Sequence, residues 1–291
     1  MKQIKKFIAI MLACIAITCL IIAAVMTWQY MQEDVASREA LEVSNSYQVS
    51  VENITTPTPA PTPVVTASPT ETPQAVTEPT ATPAPTPVPA IENPYAEHYL
   101  ANEDMAGWLQ IPGTVIDYPI MWTPEDENYY LYRGFDKKDN KNGCLILDTD
   151  SSLNPLTTNL IIHGHNMKSG AMFGDLTEYE AKDYYEDHKQ IILHTREGQR
   201  NYEVLAVFRS QVFKKTDDVF KFYKFFQADT EEEFLDFYNN IKELSLYDTG
   251  VTAEYGDNFI TLSTCVYHVK NGRFVVVAKE VESGDSYLPI E

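Results

Sequence analysis

The chain has 291 residues with 42 Asp and Glu against 22 Lys and Arg, a formal net charge of −20. A field of that sign argues against nucleic acid and anionic membrane surfaces as partners of the folded part, while a cationic tail or an amine finds it favourable. The length exceeds one average domain, the composition divides it unevenly, and four cysteines, Cys14, Cys19, Cys144 and Cys265, are too scattered for a disulfide framework.

Residues 1–6 carry Lys2, Lys5 and Lys6, and residues 7–26 follow as twenty uncharged, mostly apolar positions. At about 1.5 Å per helical residue that stretch crosses a hydrocarbon core of about 30 Å. The lysines predict a cytoplasmic N-terminus; Trp28 and Tyr30 suit the outer interface, which puts the bulk of the chain outside the cell membrane as a single-pass protein. A cleavable signal peptide is the rival, but its apolar region is about 7 to 15 residues and no small-x-small site follows. Cys14 and Cys19 then read as lipid-facing or helix-packing residues.

Residues 27–54 form a polar membrane-proximal segment, and residues 55–91 a Thr-Pro-Ala stalk that holds 11 of the 17 prolines. Such a tract buries nothing; as polyproline II at roughly 3.1 Å per residue it reaches about 100 Å, enough to hold a domain out into a cell wall. A ligand for a proline-binding domain is the alternative, and the threonines permit O-glycosylation.

The folded part is expected over 92–291, enough for one substantial core. Pro94 to Ala106 reads as an opening helix. Short β-like runs follow at Trp108–Ile111, Val115–Met121, Cys144–Leu147, Leu160–His163, Ile191–His194, Tyr202–Val212, Phe259–Ser263 and Phe274–Ala278, separated by Gly, Pro, Asn and Asp. That pattern predicts a mainly β barrel or sandwich with added helices. One added helix is explicit: Thr230 and Glu233 form a capping-box pair, and Phe234, Phe237, Tyr238, Ile241 and Leu244 follow at helical spacing.

The chemistry concentrates in two stretches. In NFITLSTCVYHVKNGRFVVV, from Asn258 to Val277, Lys270, Asn271 and Gly272 are turn material between two β runs, so the last strands form a hairpin. Cys265 and Arg273 then lie on neighbouring strands within side-chain reach, and a fixed cation makes a thiol easier to ionise. Ser263, two residues back, shares the Cys265 face and is expected to border a substrate. In NLIIHGHNMKSGAMFGDL, from Asn159 to Leu176, a buried run breaks at Gly164, leaving His165 at a strand end, suited to proton transfer. The bland alternatives are a buried structural thiol and a hydrogen-bonded structural histidine; a zinc site of His163, His165 and Cys265 is a third.

TLSTC at Thr261–Cys265 with Arg273 eight residues on, and GHNM at Gly164–Met167, together resemble the sortases, the cysteine transpeptidases of Gram-positive bacteria. GHNMKSGAMFGDL is similar to class B in particular, as are GWLQIPGTVIDYPI (Gly107–Ile120), YYL (Tyr129–Leu131) and DTG (Asp248–Gly250). His163 stands where a tyrosine is more usual, Cys144 falls in GCLILD where the family tends to have GSIFLD, and His268 lies where some members carry an acidic residue. The resemblance implies a closed sortase barrel of about eight strands. It implies catalysis by His165, Cys265 and Arg273 without metal or cofactor, on secreted proteins bearing a C-terminal sorting motif. The acyl group would pass through a Cys265 thioester to a peptidoglycan or pilin amine. In class B a helix before the last strands walls the substrate groove, which makes Tyr223 a candidate substrate contact. A papain-like protease and a non-catalytic surface ectodomain are the competing readings.

Overall fold

The computed structural model describes residues 11, 15–25, 90–267 and 269–290. Residues 15–25 are helical and exposed; among the described residues no helix is long and apolar enough to cross a membrane. The rest of the expected span, Cys14, the segment to residue 54, nearly all of the stalk and His268 lie outside the described residues.

From residue 90 onward the β-rich runs close into a barrel. Its strands are β1 (Met105–Gln110), β2 (Asp117–Met121), β3 (Leu145–Leu147), β4 (Asn159–Gly164), β5 (Gln190–His194), β6 (Gly198–Gln211), β7 (Phe259–Cys265) and β8 (Gly272–Ser286). The order around the barrel is β1-β2-β3-β4-β7-β8-β6-β5. The pairs are antiparallel except β2–β3 and β4–β7. All eight expected strands form; β6 and β8 run longer than their apolar cores because edge-to-edge pairing from Gly198↔Ser286 to Gln211↔Gly272 carries polar residues along.

Period-two alternation sorts the side chains into two layers. Leu160, Ile162, Ile260, Leu262, Phe274 and Val276 fill the barrel interior. Phe259, Val275 and Val277 point outward and are covered by a helix, α3 (Glu231–Leu244), through Phe234, Phe237 and Ile241. Thr230 caps α3 as expected: its Oγ1 accepts from Glu233 N at 3.3 Å and its N–H donates to Glu233 Oε2 at 3.1 Å. Leu244, assigned to the same stripe, is instead exposed at the last turn.

The opening helix α1 (Ala96–Ala101) is shorter than the Pro94–Ala106 expected. Asn102 leaves helical geometry because its amide donates to Tyr130 Oη and the Phe135 carbonyl, and Met105 is already paired with Met121 in β1. A 3-10 turn over Asp175–Glu180 and helix α2 (Lys182–Asp187) fill the β4–β5 connection without a sequence periodicity to announce them.

Candidate active site

β7 and β8 pair antiparallel down to Cys265↔Arg273, the expected hairpin partners. The Val266 N–H donates to Gly272 O at 3.1 Å, closing the turn. The next pair, Cys265 and Arg273, is therefore a non-hydrogen-bonded one, in which Cβ atoms lie roughly 4.5–5.5 Å apart. Asn271, with φ of 58°, supplies the left-handed residue the turn needs. On the other side β4 and β7 run parallel, ending at Gly164↔Thr264. His165 and Cys265 are the next residues on strands about 4.8 Å apart. Outward alternation puts His163, Ser263, Cys265 and Arg273 on the same face as Phe259, Val275 and Val277, so the Cys265 thiol sits outside the barrel, beside the α3 layer.

Two side-chain bonds tie the strand ends together. Asn166 Nδ2 donates to the Cys265 carbonyl at 2.9 Å, and Thr264 Oγ1 donates to the Gly164 carbonyl at 2.8 Å. Gly164 must lack a Cβ, which would sit 2.6 Å from the Phe173 ring; Phe173 in turn donates its N–H to the His165 carbonyl at 2.9 Å. Asn166 and Thr264 stood inside the quoted motifs, but no spacing rule marks a residue that acts through a backbone carbonyl.

His165 Nε2 lies 2.8 Å from the Leu131 carbonyl, which can only accept, so the proton on that side is on Nε2 and Nδ1 is left for chemistry. Leu131 belongs to the connection between β2 and β3, where Gly143, with φ of +61°, passes under the carbonyls of Tyr130 and Leu131 in a space that a Cβ would fill. Arg273 Nη1 donates to its own turn, to Gly272 O at 3.1 Å and Asn271 O at 3.4 Å, and among the described residues has no carboxylate partner. Its Nε and Nη2 donors remain unused by those bonds.

Ser263 is 2 % exposed and its hydroxyl has no hydrogen-bond partner among the described residues; its pair with Val275 lies two register pairs below the Cys265–Arg273 pair. Tyr223 belongs to a 3-10 turn, Phe222–Lys224, and its hydroxyl is bound to both backbone groups of Phe213 at 2.9 and 3.4 Å. Its ring packs in the outer layer, so its visible task is to staple the β6–β7 connection to the end of β6. His163, opposite Ser263, donates Nε2–H to Asp148 at 3.0 Å. Burial raises the Asp148 carboxyl, but the His163 hydrogen bond, the Asp150 backbone N–H and the attraction of His163 and Lys224 together outweigh it and hold the group below its ordinary value. With His163 and His165 each turned to its own acceptor, no group of three His, Cys, Asp or Glu among the described residues is arranged to hold a metal.

Cys144 is the contrast to Cys265. It is buried in β3's approach, its thiol points at the Arg133 carbonyl at 3.4 Å, and burial pushes it up to about 12, so it stays a neutral packing group. Cys265 is only half-buried.

A sortase-domain family model matches residues 109–281. Sortase B of Listeria monocytogenes is 36 % identical over 182 residues, covering 62 % of this chain and 71 % of that protein. Sortase B of Staphylococcus aureus is 27 % identical over 186 residues, covering 62 % and 72 %. Among solved structures, a complex of S. aureus sortase B with substrate superposes with a TM-score of 0.59 at 25 % identity, over 66 % of this chain and 87 % of that one. Sortase B from B. anthracis in complex with AAEK1 gives 0.57 at 29 % identity, over 67 % and 89 %.

Proposed function

Because the chain belongs to the sortase family, in class B, it is a cysteine transpeptidase, and we propose that its nucleophile, acid and oxyanion donor are Cys265, His165 and Arg273. The observation that carries the assignment is the convergence of three adjacent strand ends, β4, β7 and β8, with Cys265 opposite Arg273 and one step beyond Thr264↔Gly164.

In this reading the Cys265 thiolate attacks the threonine carbonyl of a C-terminal sorting motif in a secreted protein, and the carbonyl electrons move onto oxygen. Arg273 donates to that oxyanion through the guanidinium nitrogens its turn leaves unused. His165, as imidazolium, gives its Nδ1 proton to the departing amine; the C–N bond breaks and a thioester remains. An incoming amine from peptidoglycan or a pilin lysine attacks the thioester, returns a proton to His165 and expels the Cys265 thiolate. Every atom and charge is then back where it began. Ser263 borders the bound motif from beneath, on the face it shares with Cys265; Tyr223 contributes to the wall only through the loop it staples. Residues 7–26 anchor the enzyme, with the stalk 55–91 carrying the domain 92–291 outside the cell.

The test is mass spectrometry of the protein incubated with a library of sorting peptides. We expect an adduct on Cys265 equal in mass to the peptide up to its threonine. Cys265→Ala should show none, and Cys144→Ser should keep most of the activity. Equal loss from both, with the fold intact, overturns the assignment.

A further inference from the structure

Among the described residues the proposed acid has no carboxylate to steer it. Among them the groups that meet the His165 ring are the Leu131 carbonyl, at 2.8 Å from Nε2, and the ring of Tyr132, with centroids 5.4 Å apart and planes inclined by 30°. Both come from residues 129–132, and that strap is rigidly held. Tyr130 is 1 % exposed; its hydroxyl donates to Asp104 at 2.7 Å and accepts from Asn102 at 2.8 Å. Its carbonyl accepts from Cys144 N at 3.0 Å, and the Tyr132 carbonyl accepts from Asn140 N at 2.9 Å.

The Tyr132 side chain departs from the rest of the strap. It is 61 % exposed, and its hydroxyl makes no hydrogen bond among the described residues. A ring that remains so wet gains little from burial, and its hydroxyl does no bonding, so core packing does not account for it. What the ring does is lie on one face of the imidazole. A carbonyl fixes one edge of a ring but leaves it free to tilt about that bond; a second ring stacked on its face removes the tilt.

We propose that Tyr132 is a positioning residue for the reaction. It caps His165 so that, with Nε2–H on the Leu131 carbonyl, Nδ1 is held toward the leaving amine above Cys265. The inference rests on the reading of His165 as the acid, and it assigns the work to the tyrosine's ring rather than to its hydroxyl.

The experiment compares Tyr132→Phe, Tyr132→Leu and His165→Ala in the full-length protein, solubilised in detergent, with the peptide that acylates Cys265 as substrate. Tyr132→Phe should keep the parent rate. Tyr132→Leu should lower kcat about 10-fold, the scale of one aromatic pair, with KM within about twofold and the melting temperature unchanged. Tyr132→Gln, suited to an exposed position, should behave as Tyr132→Leu does and replaces it if the leucine variant folds poorly. Parent-like kcat in both, or a raised KM with kcat kept, overturns the proposal; the second result makes Tyr132 a peptide contact. Should His165→Ala remain active, the acid assignment fails and takes this inference with it, whereas an inactive His165→Ala beside a parent-like Tyr132→Leu sinks the inference alone.

Discussion

Arg273 separates two tasks that a cation beside a thiol can perform. If it only favoured the thiolate, Arg273→Lys would keep a positive charge opposite Cys265 and activity would survive. A guanidinium holds several donors in one plane, and here Nη1 is bound to the turn at Gly272 and Asn271 while the other nitrogens face away from those bonds. Lysine has one flexible ammonium and cannot bond the turn and an oxyanion in fixed directions. Arg273→Lys should therefore lose about 10²- to 10³-fold in acylation, nearly as much as Arg273→Ala, while labelling of Cys265 by a small thiol probe falls much less. Peptide acylation by the lysine variant at close to the parent rate would show that charge alone suffices.

The elements at the barrel's far edge carry a second titrating group, away from the chemistry. β5 ends at His194, whose Nε2–H donates to Gln110 Oε1 of β1 at 3.1 Å and whose Nδ1 accepts from Tyr287 Oη at 2.6 Å. Tyr287 follows β8, and its neighbour Leu288 donates to the Ile91 carbonyl at 2.8 Å, so this histidine helps close the two ends of the domain onto the sheet. Burial lowers its pKa from 6.5 to about 4, against a smaller upward pull from Asp117. A group depressed on folding stabilises above its unfolded pKa and loses that contribution as pH falls. Stability should thus decline between about pH 6.5 and 4, by up to about 3 kcal/mol from this residue. Denaturant midpoints measured across that window should fall in the parent and change much less in His194→Gln; parallel declines would assign the loss to other groups.

All eight strands were legible because their β-branched and aromatic runs are bounded by turn residues, and the Cys265–Arg273 register followed from a short turn whose length leaves little choice. The capping box marked α3 for the same reason: the signal is local. What was not legible is what depends on distant partners. Asn102 ends α1 early through bonds to residues 28 and 33 positions away, and the Leu131 carbonyl reaches His165 across 34. The aperiodic β2–β3 connection has no sequence pattern that predicts its path, although its YYL stood in plain view. Ser263 was placed on the right face by alternation alone, but its unsatisfied hydroxyl is a property of its neighbours.

At the scale of the whole chain, the proposed anchor and stalk set where the barrel works. Lys2, Lys5 and Lys6 before the apolar stretch, and the proline tract behind it, argue for an outward-facing domain. Protease added to intact protoplasts should then release a soluble fragment beginning near residue 90. Full protection would reverse the orientation.

The parallel β4–β7 pair also has a kinetic meaning. Its partners are a hundred residues apart, as the Thr264–Gly164 bond shows. Joining them closes a long loop whose entropy must be lost before any contact returns it, and topologies dominated by such pairings fold in milliseconds to seconds rather than microseconds. Until β7 inserts beside β4, His165 and Cys265 have nothing to bring them together. On the proposed assignment a nascent chain that has completed β4, the strap and the barrel's first half is therefore chemically silent, and peptide-cleaving power arises only when the strand carrying Cys265 is made and docked.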